Sequence, residues 1–79
     1  MKNKVTLDAI VENLKEKVFH FEEDHEYEID REYEEVLIRT THYPTGFFGH
    51  VEWIGEVATY LDLTLSARVV NGEVVLVIH

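Results

Sequence analysis

Between residues 61 and 70 apolar and polar positions alternate without a break: Leu61, Leu63, Leu65, Ala67 and Val69 are separated by Asp62, Thr64, Ser66 and Arg68. A period of two is that of a half-buried β-strand. The chain then passes through Asn71-Gly72 into Glu-Val-Val-Leu-Val-Ile-His. Asn-Gly is the preferred pair for a type I′ turn, which needs positive φ at both central residues and twists in the sense of its flanking strands. The tail therefore predicts a β-hairpin turning at Asn71-Gly72.

Near the other end the period changes. Leu7, Ile10, Val11, Leu14 and Val18 fall on one face of a helix. Thr6 suits its N-cap, Asp8 lies in the first turn where the helix dipole favours an acid, and Lys15 and Lys17 lie near the end where it favours cations. Position 9 is alanine, so there is no capping box. The pattern predicts a helix over about 7–18, able to cover a sheet with its single apolar face.

The middle of the chain carries two ambiguous segments. In the first, Tyr27, Ile29, Arg31 and Tyr33 alternate with Glu26, Glu28, Asp30, Glu32 and Glu34. A strand would put the aromatics and Ile29 on one face and five carboxylates on the other. Ile29, Tyr33, Val36 and Leu37 also fit a helical spacing, but the β-rich stretch from Val36 onward favours two strands, at about 25–31 and 34–42. They would turn at Asp30-Arg31-Glu32 without help from glycine or proline, since none precedes Pro44. Pro44 and Gly46 mark a loop. In the second segment, Phe47, Val51, Ile54, Val57, Ala58 and Leu61 share a helical face, while Val51, Trp53, Val57 and Leu61 share a strand face. A strand from His50 into Val70 would run about 21 residues, beyond the usual 3–10, so the helix is the better reading. The resulting order, α-β-β-α-β-β, predicts an α+β fold: a two-layer sandwich with a mainly antiparallel sheet.

Seventy-nine residues make a single small domain, of which 46% are apolar, enough for a thin core. There is no cysteine, hence neither a disulfide nor a thiolate metal site. No apolar run is long enough to span a bilayer and no signal-peptide core opens the chain, so a cytoplasmic, soluble protein is expected. The net charge of −9 opposes direct binding to nucleic acid or to an anionic membrane. A basic protein surface, or a cation, is the natural partner.

Catalytic chemistry finds little support. The sole serine, Ser66, lies in a predicted strand without a glycine elbow, and no glycine-rich phosphate loop is present. Sixteen carboxylates could supply many acid/base pairs, which makes none of them specific. The expectation is a non-enzymatic protein without a cofactor.

Two sets of residues remain as candidate sites. Glu26, Glu28, Asp30, Glu32 and Glu34 belong to a block, residues 22–35, holding nine carboxylates against one arginine. Carboxylates at every second strand position repeat at about 6.6 Å, comparable to about two 3.4 Å steps of a DNA strand. Such a row could occupy a basic groove built for nucleic acid, as an inhibitor or mimic does; more simply, it is a solvated face that discourages edge pairing. The alternative site is a metal or small-ligand centre near the Pro44 loop built from His25, His42 and His50, against which stands their scattered spacing. Finally, Val74, Leu76 and Ile78 point one way in the last strand while Val75 and Val77 point the other. Both faces being apolar calls for a second helix layer or a second molecule, a homodimer being the simplest.

Overall fold

A computed structural model describes residues 5–40 and 47–79. Helix α1 (Leu7–Lys17) starts where the sequence places it: Thr6 is extended and its Oγ1 accepts from the Ala9 N–H at 3.1 Å. Leu7, Ile10, Val11 and Leu14 are buried on its inner face, and Val18 closes it with its N–H on the Leu14 carbonyl. His20 then adopts φ 55° and opens a one-turn helix, α2 (Phe21–Asp24), which periodicity could not anticipate because four residues contain no repeat. Its purpose is visible in Phe21, 2% exposed, whose ring lies 5.3 Å from that of His25 and 6.0 Å from that of Tyr27.

Strands β1 (His25–Asp30) and β2 (Glu35–Thr40) pair antiparallel, with Glu28 opposite Leu37 and Asp30 opposite Glu35. The turn lacking glycine and proline is solved by side-chain chemistry. Asp30 Oδ1 accepts from the N–H groups of both Glu32 and Tyr33, each at 3.1 Å, and Glu34 takes φ 55° to re-enter the sheet. The expected second strand extends to residue 42; residues 41 and 42 lie outside those described.

Helix α3 (Phe47–Tyr60) confirms the helical reading of the ambiguous segment, burying Ile54, Val57 and Ala58. Its end corrects one expectation. The Leu63 N–H bonds the Ala58 carbonyl at 2.8 Å, the Asp62 N–H bonds that of Thr59 at 3.1 Å, and Asp62 has φ 59°. This is a Schellman cap with aspartate in the left-handed position and Leu63 folded back onto the core. Residues 61–63 thus cap the helix, and the strand begins at Leu65 rather than Leu61. Alternation alone could not separate a leucine that caps a helix from one that faces a sheet.

Strands β3 (Leu65–Val70) and β4 (Glu73–Ile78) form the expected hairpin, with Asn71 and Gly72 at φ 52° and 80°. Central β4 also pairs with β2, giving the antiparallel order β1-β2-β4-β3 and leaving β1 and β3 as edges. On one face, Ile29, Val36, Ile78 and Leu65 form a row, and Tyr27, Ile38, Leu76 and Ala67 the next. The buried faces of α1 and α3 pack with Val36, Ile38, Leu76 and Ile78 into the main core. Fully buried Ile10, Leu14, Ile38, Ile54 and Ile78 each contribute about 1.5–3 kcal/mol relative to exposure. Among the described residues no helix is long and apolar enough to cross a membrane.

Candidate functional site

Pairing fixes where the acidic block lies. With Tyr27 and Ile29 on the helix-covered face, Glu26, Glu28 and Asp30 project from the opposite face, along an edge strand. Glu32 and Glu34 do not extend the row, because they belong to the turn at 31–34, beyond the end of β1. Nor are the three strand carboxylates equivalent. Asp30 is committed to capping the turn, while Glu28 lies 3.9 Å from Arg39 with its side chain 63% exposed. Glu26, one step nearer the acidic α2, is exposed. The face that could meet a partner is therefore Glu26 and Glu28 on the strand, with Glu22 and Glu23 on one flank and Glu32 and Glu34 on the other, all exposed.

Further into the same face lie Val75 and Val77, the second apolar face of the last strand, with an ion pair across it that sequence reading missed. Among the described residues, Leu37, Val75 and Val77 form a second buried cluster to which no helix residue contributes, with Val70 packed against it. Arg68 on β3 donates to both carboxylate oxygens of Glu35 on β2, at 2.9 and 3.3 Å. Because β4 runs between those strands, this bidentate pair bridges across it, and the arginine stem lies over the valines it crosses. Glu35 is left 11% exposed and Arg68 49% exposed. The Glu35 bond and charge hold the guanidinium above its usual pKa. Arg39 works in the same way, 3.9 Å from both Glu28 and Glu73. The apolar second face of β4 is thus out of solvent within a single chain. The signal for it was Arg68 in the polar set of the alternation, but pairing it with Glu35 needed the strand order.

Of the three candidate histidines, only His25 has a described side chain. His25 is buried beside Phe21; His42 lies outside the described residues, and so does the side chain of His50. Among the described residues no three His, Asp or Glu side chains are grouped to hold a metal ion. Elsewhere His20 Nδ1 lies 3.4 Å from Glu23, and His79 Nε2 lies 2.7 Å from the Ser66 hydroxyl at the sheet's end. Ser66 is on β3, as the alternation predicts, with the His79 imidazole against its hydroxyl.

A shallow groove of about 800 Å³ runs between the outer side of α3 and residues 63–65, lined by Glu52, Glu56, Tyr60, Leu63 and Leu65 among others. Its walls combine the carboxylates of Glu52 and Glu56 and the hydroxyls of Thr59, Tyr60 and Thr64 with apolar side chains. Comparison of the chain with protein families, with curated proteins and with solved structures gives no match.

Proposed function

We propose that this chain is a small non-enzymatic interaction module of the cytoplasm, which presents the acidic side of β1 to a basic protein surface as an inhibitor or regulator. The observation that carries this reading is the placement of charge. The carboxylates of α2, β1 and the 31–34 turn are contiguous along one edge of the sheet, whereas the cations of the same face, Arg39 and Arg68, are drawn inward onto Glu28, Glu73 and Glu35. An edge so charged repels a second strand of its own kind and attracts a groove lined with lysine and arginine. Where that groove normally holds nucleic acid, the carboxylates stand in for phosphates.

The test uses the intact chain immobilised as bait in an extract of its source cells, followed by titration of the purified partner. Affinity is expected to fall steeply between low and physiological salt, and duplex DNA is expected to displace the chain. Salt-independent binding of a neutral or acidic partner would overturn the reading.

A further inference from the structure

The sheet has two edges, and only one is guarded. Edge strand β1 carries Glu26, Glu28 and Asp30, charges that discourage strand addition. Edge strand β3 reads Leu65-Ser66-Ala67-Arg68-Val69-Val70, with no proline, no lysine and no bulge in its ladder to β4. Its one charge, Arg68, is turned across the sheet onto Glu35 of its own chain. Beside this edge Val69 is 72% and Val74 47% exposed, directly opposite one another in the hairpin.

The backbone phase of β3 is fixed as well. Thr64 and His79 exchange both hydrogen bonds, at 2.8 and 3.0 Å, so their pair is of the closely bonded kind. In an antiparallel ladder such pairs alternate with non-bonded ones, so Thr64, Ser66, Arg68 and Val70 bond inward to β4. Leu65, Ala67 and Val69 accordingly direct their N–H and C=O groups outward, and all three carry apolar side chains on the helix side.

We propose that β3 pairs with β3 of a second copy, antiparallel about a two-fold axis through Ala67, joining two sheets into one. Residues on the same face must oppose one another, which leaves only registers centred on a residue. Centring on Ala67 sets Leu65 against Val69 of the second copy and Ser66 against its Arg68, and lets Leu65, Ala67 and Val69 each form a bonded pair. Centring on Arg68 sets two arginines face to face and shortens the ladder. The charge distribution favours the same partner. The strand order places both β1 edges at the outer limits of the joined sheet, about seven strand spacings or 33 Å apart, well beyond a Debye length of about 8 Å in physiological salt. Two copies can thus meet at β3 despite a net charge of −9 each. The proposal is independent of the acidic-edge function, since it uses the opposite edge.

Sedimentation equilibrium at tens to hundreds of micromolar tests it, with Val69→Lys alongside. The parent is expected at twice its 9.3 kDa chain mass, and Val69→Lys, at a side chain already exposed in the single chain, at the chain mass with an unchanged circular dichroism spectrum. Ala67→Cys supplies a register-specific readout, because the chain has no other thiol and bonded partners across a ladder lie about 5.5 Å apart between Cα atoms. A short bis-maleimide, which forms a thioether with each thiol, is expected to join Ala67→Cys, but not Glu26→Cys, into a covalent dimer. A parent that stays at the chain mass, a mass above the dimer, a dimer indifferent to Val69→Lys, or linking at position 26 instead of 67 would each overturn the proposal.

Discussion

Single residues decide how this chain turns. Among the described residues His20, Glu34, Asp62 and Asn71 have positive φ without being glycine, and each stands at the boundary of an element. Asparagine and aspartate tolerate that region; glutamate gains little there. Replacing Glu34 by glycine removes about 1–2 kcal/mol of left-handed strain at an entropic cost of about 0.5–1 kcal/mol. Urea unfolding should therefore show a small net stabilisation. Gly72→Ala should act in the opposite direction, by about 1–2 kcal/mol, and for a purely conformational reason: a Cβ on Gly72 would touch nothing within 4 Å. A second prediction concerns the arginine over the outer cluster. Arg68→Ala uncovers Val77 and leaves Glu35, 11% exposed, beside no guanidinium; Glu35→Gln leaves a half-exposed guanidinium that water can solvate. Arg68→Ala should lower the unfolding midpoint more than Glu35→Gln does. The reverse order would mean that the arginine stem covers nothing.

At the scale of elements, the long-period signals were legible and the short ones were not. The five apolar positions of α1 and the Asn71-Gly72 turn carried enough repeat or stereochemistry to place them from sequence. The 47–60 segment was settled only by the implausible length of the competing strand. What escaped was local: α2 is one turn built to seat Phe21, and the Schellman cap borrowed two leucines from an apparent strand. The apolar outer face of β4 was legible in Val75 and Val77 but its cover was not, because a strand's neighbours are decided by sheet order and not by its own pattern. The acidic row was half legible, three residues on β1 and two carried off into the turn. Phe21 joins α1, α2 and β1, so Phe21→Ala should cost about 3–5 kcal/mol, most of the stability of so small a domain. A loss below about 1 kcal/mol in urea unfolding would show that α2 anchors nothing. Between α1 and β1, Lys15 is held above its usual pKa of 10.5, first by a hydrogen bond with Tyr27 and then by the charge of Glu22, 3.9 Å away. A raised pKa means a contribution fully present below about pH 10.5 and lost as pH climbs through the folded value. Lys15→Met should accordingly lie below the parent in thermal midpoint at neutral pH and converge with it at higher pH.

For the molecule as a whole, a sheet of four strands presents two unlike edges. One gathers carboxylates from α2, β1 and a turn; the other is apolar and nearly uncharged, with its arginine turned inward. On the pairing proposed above, a strongly acidic chain would be repelled by its own kind on one side and joined to it on the other. It also separates total charge from its pattern, and that separation can be measured. Glu26→Gln, Glu28→Gln and Asp30→Asn together remove three charges from β1; Glu12→Gln, Glu16→Gln and Glu52→Gln remove the same number from α1 and α3. The affinity of both triple variants for the captured basic partner, at a single salt concentration, tests the acidic edge most directly. The account predicts a loss of tenfold or more for the β1 triple and a much smaller one for the helix triple; equal losses would contradict it.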